Sequence, residues 1–158
     1  MTKEDTHRPV LVPVDFSAYS EAALLCAAEL AHVLGSPLIV LHIVHDPGEA
    51  PGYYAVKGRH KQLERLEDVA AEMLEQFLKK SRDEHPGQAA LKNASTKLVT
   101  GLPVNRILET AEKTHARMIV MGSQGRTGLA HMMLGSKAEQ VVRLSPVPVT
   151  IVKEVEQK

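Results

Sequence analysis

Residues 121–136 read MGSQGRTGLAHMMLGS, and no other part of the chain is built like them. Four glycines, two serines and a threonine interrupt a sequence otherwise made of apolar runs and amphipathic stretches. The run just before, RMIVM, has the composition of a buried strand, and AEQVVRL just after it has that of a short helix. The segment therefore leaves the carboxyl end of a strand, and it spends fourteen residues, Gly122 to Gly135, before the helix is under way. Connections in compact domains usually take about 4–6 residues, and longer ones tend to be functional or disordered. Glycine lets the backbone reach positive φ and approach a ligand closely, so successive N–H groups can converge on an anion. At the far end, SKAE has the form of a capping box, with Ser136 as N-cap and Glu139 at N3. A helix start of that kind favours phosphate, but each charge–dipole contact is worth only about 0.3–1 kcal/mol, so several donors must act together.

Taken one by one, these residues have plainer uses as well. Ser136 serves either as a cap alone or as a phosphate contact. Gly122, Gly125 and Gly135 either let a loop wind or cradle an anion. Arg126 and Lys137 fit solvated surface charges, His131 fits packing or a solvent-facing position as well as binding, and Met132 and Met133 fit packing.

Outward from this segment the chain alternates. PVLVPVDF reads as a strand ending near Asp15. Ser17 stands at an N-cap, Leu25, Leu30, Val33 and Leu34 follow at helical spacing, and Gly35 ends that helix. PLIVLHIV is a continuous apolar strand of the kind buried on both faces. Residues 45–58 are punctuated by Pro and Gly and form a long connection. From Lys61 to Arg82, Leu63, Leu66, Ala70, Met73, Phe77 and Leu78 trace one face of a long helix. A turn-rich gap leads to the strand TKLVT. The next helix has Pro103 in its first turn and Ile107, Leu108 and Ala111 inward, and VPVTIV closes the series as a fifth strand. Strands and helices alternating at this spacing predict one α/β domain over residues 1–158, with its core at about 8–153 and a parallel sheet covered on both faces. Pro13 strains the pattern, because proline avoids central strands; it fits if regular pairing stops there and leaves Asp15 just past the carboxyl edge.

Composition narrows the function. With 158 residues the chain can bury a core without staples, and 19 basic against 19 acidic residues give no steering toward nucleic acid or anionic membrane. Two Phe, three Tyr and no Trp offer little for stacking bases. The lone Cys26, in LLCAAEL, reads as a core residue rather than a reactive thiol, and a single cysteine suits a reducing compartment. MTKEDTHRPV lacks the apolar stretch of a secretion signal, and no run is long enough to span a bilayer, so the expected location is the cytoplasm. Several phosphate and metal motifs are excluded by register. There is no GxxxxGK[ST], no GxGxxG, no GxSxG elbow and no HExxH, and the eight histidines are scattered.

The segment GSQGRTGLAHMMLGS has the form G-x2-G-x9-G-S through Gly122, Gly125, Gly135 and Ser136, with Gly128 outside the register. That form resembles the signature of the ATP-binding branch of the universal stress protein family. The similarity extends through VLVPVDFSAYSEAAL, LIVLHIV, VTGLPVNRILETAEK and SPVPVTIVK, nearly the whole chain. The resemblance implies a Rossmann-like sheet of the adenine nucleotide alpha hydrolase type, five parallel strands in the order 3-2-1-4-5, with Asp15 beside Gly122 at the switch point. Carried over by position, Val14 and Asp15 would sit at the adenosine, Asp15 near the ribose or else as a helix-entry carboxylate paired with backbone amides. Ile43 would offer backbone groups to adenine. Met121 and Gly122 would line the nucleoside pocket, with Gly101 and Pro103 shaping its wall. Gly125, Gly135, Ser136 and Lys137 would surround the phosphates, with Arg126 or Lys137 neutralising charge.

The implied ligand is ATP, with AMP or ADP as alternatives, and Mg²⁺ would reach Asp15 through the nucleotide. The family resemblance also implies a homodimer through the last strand, 147–152, unless Pro146, Pro148 and the tail KEVEQK protect that edge. The leading expectation is a nucleotide-dependent stress-response sensor or switch. The alternatives are a slow ATP-hydrolysing or phosphate-transferring enzyme and a nucleotide-free protein-interaction module.

Overall fold

Four residues, Val10–Pro13, make the central strand β1, and all four are buried. The computed structural model describes residues 7–45, 59–125 and 133–153, with the backbone alone described for 59–64. After β1 come α1 (Ala18–Leu34), β2 (Leu38–Val44), α2 (Arg59–Glu84), the short α3 (Ala89–Lys92) and β3 (Ser95–Thr100). The chain continues through α4 (Pro103–Lys113), β4 (Met118–Gly122), α5 (Ser136–Leu144) and β5 (Val149–Val152). The strands form one parallel sheet in the order β3-β2-β1-β4-β5. The order reverses at β1, so β1 and β4 flank the switch point.

Alternation along the strands builds two cores. Val10, Val12, Leu38, Val40 and Val120 point to one face and meet α1, α2 and α3. Leu11, Ile39, Leu41, Ile119 and Met121 point to the other and meet Ile107 and Ala111 of α4 with Ala138 and Val141 of α5. Each fully buried aliphatic side chain stabilises by about 1.5–3 kcal/mol, which makes β1, buried on both faces, the anchor of the sheet.

Two helical stripes differ from the expected ones. In α1 the buried positions are Ser20, Ala23, Leu24, Ala27, Ala28 and Ala31; Leu25, Leu30 and Leu34 are half-buried and Val33 is 79% exposed. Small alanines let the helix axis come close to the sheet, and the larger residues fall to the flanks. In α2 the inner stripe is Ala70, Leu74, Leu78 and Ser81, while Leu66 and Met73 face outward and the side chain of Leu63 lies outside the described residues. The helix also runs further than its apolar pattern, and the turn-rich gap contains α3, whose Leu91 is fully buried.

Pro13 is the last residue of β1. Val10 and Val14 donate toward β2, to the carbonyls of Pro37 and Leu41, each at 2.8 Å. Alternate residues of a strand face the same neighbour, so the nitrogens of Leu11 and Pro13 face β4. Pairing with β4 covers Val10↔Met118 and Leu11↔Ile119 and then stops. A residue with no N–H thus falls where that ladder has already ended, and β1 and β4 part at the carboxyl edge. Among the described residues no helix is long and apolar enough to cross a membrane.

Candidate functional site

The carboxyl edge of the sheet gathers most of the residues that the glycine segment and its surroundings single out. Val14 and Asp15 follow β1, Ile43 lies near the end of β2, and Gly101 follows β3, where its N–H donates to the Val44 carbonyl at 2.9 Å. Met121 and Gly122 end β4, Gly125 lies just beyond, and Gly135, Ser136 and Lys137 open α5. Pro103 is the first residue of α4, where its missing N–H goes unneeded. Arg126, Gly128, His131 and Met132 lie outside the described residues.

Hydrogen bonds with Ser17 and Ser20 help to set Asp15 in its turn. Its Oδ1 accepts from the Ser17 hydroxyl at 2.5 Å and from the Ser17 N–H at 3.1 Å. Its own N–H donates to the Ser20 hydroxyl at 3.3 Å. Ser17 also caps α1 as expected, accepting the Ser20 N–H at 3.2 Å. The helix-entry role foreseen for Asp15 is therefore present on Oδ1, while Oδ2 faces the glycine segment: a Cβ built on Gly125 would stand 2.9 Å from it. Gly125 has no positive φ, so this close approach, rather than backbone conformation, is what its missing side chain permits.

The other glycines divide by cause. A Cβ on Gly122 would meet Tyr19 Cβ at 2.8 Å and the Tyr19 carbonyl carbon and oxygen at 2.9 Å, so Gly122 lets the first turn of α1 lie directly on β4. Gly101 has φ +140°, and its Cβ would strike Arg106 Nε at 2.5 Å; that nitrogen donates to the Thr100 carbonyl at 2.8 Å. The N–H of Gly135 donates to the Ser123 carbonyl at 2.8 Å, and the Gln124 side-chain amide donates to the Met133 carbonyl. Ser123 in turn donates to the Val152 carbonyl at 2.9 Å. The two ends of the segment are thereby tied together beside the carboxyl end of β4.

The capping box is corrected. Gly135, with extended ψ 148°, is the N-cap of α5 and makes no side-chain cap, so Ser136 is the first helical residue. The Gly135 carbonyl accepts the Glu139 N–H at 2.9 Å, which places Glu139 a position later than a capping box requires. Ser136 and Lys137 are exposed at the amino end of the helix.

Sequence reasoning passed over Phe16 and His42. Phe16 has φ +66°, the left-handed region that costs a bulky residue roughly 1–3 kcal/mol and collects at functional turns. Its ring stacks on His42, with centroids 4.3 Å apart and planes at 29°, and meets Phe77 edge-on at 5.5 Å. The His42 Nδ1 lies 2.8 Å from the Val14 carbonyl. The only signal for this cluster was a pair of rings, in VDFS and VLHI, at strand ends that the parallel order makes neighbours.

Elsewhere, burial first and Glu29 second push the Cys26 thiol above its ordinary range, as a structural cysteine requires. Two clefts, of about 590 and 350 Å³, lie away from this edge. The larger is lined by Glu29, His32, Val33 and His85 at the opposite end of α1. Size alone does not mark the site, which lies at the switch point, where Gly125 approaches Asp15. No group of three or more His, Cys, Asp or Glu among the described residues could hold a metal ion.

Comparison with known proteins gives the family and the same fold. The chain matches the universal stress protein family over residues 6–153. It is 31% identical over 151 residues to universal stress protein MJ0531 of Methanocaldococcus jannaschii, covering 96% of this chain and 85% of that protein. Its fold superimposes on universal stress protein UspA from Lactobacillus plantarum with a TM-score of 0.76, at 24% identity and covering 92% and 97% of the two chains. A universal stress protein solved in complex with cAMP has a TM-score of 0.63 at 25% identity, covering 93% and 97% of the two chains. One from Archaeoglobus fulgidus in complex with dAMP has 0.59 at 22%, covering 94% and 99%. The chain belongs to the universal stress protein family.

Proposed function

We propose that this protein holds an adenine nucleotide, ATP foremost and ADP or AMP as alternatives, at the carboxyl edge between β1 and β4, and acts as a nucleotide-dependent switch in a stress response. One observation carries the reading: Asp15 and Gly125 approach so closely that a single methyl would fill the gap, beside the amino end of α5. A cradle closed by a Cβ is what a phosphate-facing glycine needs, and a helix start supplies N–H groups and a positive dipole end. Val14 lies beside the adenosine, Ile43 supplies backbone groups to the base, and Asp15 meets the ribose. Met121, Gly122 and Gly101 form the wall, and Gly125, Gly135, Ser136 and Lys137 serve the phosphates, with Arg126 adding charge. Since the Gly135 N–H already serves Ser123, Gly135 contributes close approach rather than a donor. Mg²⁺ accompanying ATP reaches the protein through Asp15. The cAMP and dAMP complexes of relatives support an adenine ligand. The reading further places the protein in the cytoplasm as a homodimer joined through β5, an edge strand of half-buried residues.

The test has two steps. The protein as purified is denatured and any released nucleotide identified by chromatography, and the emptied protein is then titrated with ATP, ADP and AMP by calorimetry. A nucleotide present at about 100-fold its Kd adds about 2.7 kcal/mol to stability, which a thermal melt resolves. No released nucleotide, no heat and no shift in Tm together would overturn the reading in favour of a protein-interaction module.

A further inference from the structure

The ring of His42 touches the turn that carries Asp15 and has no part in the nucleotide roles assigned above. β2 presents Leu38 and Val40 to the core beneath α1 and α2, and His42, two residues on, shares their face. A carbonyl oxygen only accepts, so the 2.8 Å contact with Val14 requires the hydrogen on His42 Nδ1. β1 has ended at Pro13, which leaves the Val14 carbonyl beyond the regular ladder. The Val14 N–H meanwhile donates to the Leu41 carbonyl at 2.8 Å. Two adjacent residues of β2 therefore hold both backbone groups of Val14, one with its main chain and one with its side chain. Two residues further, Phe16 adopts φ +66° with its ring on the face of His42 and its edge toward Phe77. Asp15 lies between these two points of attachment, Val14 and Phe16, and His42 touches both.

We propose that His42 is a positioning residue. It fixes the Val14–Phe16 turn so that Asp15 Oδ2 faces Gly125, and it sets nucleotide affinity through Asp15. The inference rests on the nucleotide reading above. Its distinguishing feature is the Nδ1–H donor, because the aromatic face alone could be supplied by any ring.

Two variants separate donor from ring. His42→Asn places an amide N–H near the position of Nδ1 without a ring, and His42→Phe keeps a ring against Phe16 without a donor. Each is compared with the unmodified protein for ATP affinity, for nucleotide-free Tm and for hydrogen exchange at the Asp15, Phe16 and Ser17 amides. Affinity is expected not to follow stability. Both variants melt lower, because His42→Phe leaves the Val14 carbonyl without its donor and His42→Asn loses the ring against Phe16. Yet His42→Phe binds ATP at least about tenfold more weakly with faster exchange in the turn, while His42→Asn binds within about threefold of the unmodified protein. A merely structural histidine would make affinity follow Tm, and that outcome overturns the proposal. So does a His42→Phe protein with unaltered affinity and exchange. If the unmodified protein binds no nucleotide, the functional reading fails by itself, and exchange at the three amides still decides whether the Nδ1 donor holds the turn.

Discussion

Replacing Gly122 and Gly125 by alanine, separately, should damage different properties although the two lie three residues apart. At Gly122 the new methyl meets three atoms of Tyr19 at 2.8–2.9 Å, two of them backbone. Backbone cannot rotate aside, and α1 is held on the sheet by six buried residues, so strand and helix must separate by several tenths of an ångström. Overpacking of this kind costs about 1–3 kcal/mol. For a chain of this size that is a fall in Tm of about 2–4 °C per kcal/mol, or roughly 4–8 °C in the middle of the range. At Gly125 the methyl meets one atom, Asp15 Oδ2, at 2.9 Å, on an exposed stretch of ordinary φ. The fold has room to accept it, but the carboxylate does not: its other oxygen is held by two donors of Ser17, so it must leave its position. The expected outcome is a Tm within about 1 °C of the unmodified protein, as for most surface substitutions. ATP affinity should fall at least about tenfold, or 1.4 kcal/mol. Calorimetric titration and thermal melts of both variants read this directly. A Gly122→Ala protein of unaltered Tm, or a Gly125→Ala protein of unaltered affinity, refutes the division of roles.

Three further outcomes follow from the same geometry. Ser17→Ala removes the cap of α1 and the hydroxyl that donates to Asp15, leaving the backbone N–H of residue 17 on Oδ1, so it should cost about 1 kcal/mol, or about 2–4 °C in Tm, and weaken ATP binding beyond what lost stability explains. Ser136→Ala should leave stability within about 0.5 kcal/mol, because Gly135 is the N-cap, while lowering ATP affinity; a loss of the roughly 1 kcal/mol expected of a cap would restore the capping box. Cys26, with its thiol pushed up by burial and by Glu29, should react with a thiol reagent more slowly folded than unfolded at neutral pH. Its folded value lies above the unfolded one, so its contribution to stability is complete below the unfolded thiol range. That contribution is lost as pH rises through the folded value, which a pH series of melts checks.

The elements were legible because the physics that makes them is local. Ser17 and Gly35 bound α1 as their side chain and φ dictate, and Pro13 marked the limit of β1 because a missing donor cannot be hidden in a ladder. The strand order was not local: it came with the family resemblance, since alternation predicts a parallel sheet without saying which strands adjoin. The inner faces of α1 and α2 were read in part: Ala70 and Leu78 are buried and Leu25, Leu30, Leu34 and Phe77 pack against the core, while Val33, Leu66 and Met73 face outward and the alanines of α1 were passed over. Alanine is chosen by how closely a helix approaches its sheet, a tertiary quantity. Ser136 was misplaced by one residue for a related reason, since a glycine in extended conformation can cap a helix without offering a side chain. Phe16 and His42 escaped notice because their meeting depends on register, and neither residue type advertises a turn.

A common feature of the candidate site is that residues form it by lacking a group. Pro13 lacks a donor and comes where the β1–β4 ladder has ended. Gly122 lacks a Cβ, and the first turn of α1 comes down onto β4. Gly125 lacks one too, and the segment after β4 comes down onto Asp15. Each absence admits a different neighbour, a gap in the first case, a helix in the second and a carboxylate in the third. A winding loop needs none of these correspondences, because glycine there would be chosen for φ, and neither Gly122 nor Gly125 has a positive φ. Close approach is therefore the property that selects both residues. At Gly122 the space is already taken by Tyr19, which makes it a packing glycine. At Gly125 the space ends on a carboxylate held from behind by Ser17, so a Cβ there would press on Asp15 rather than on a packed helix.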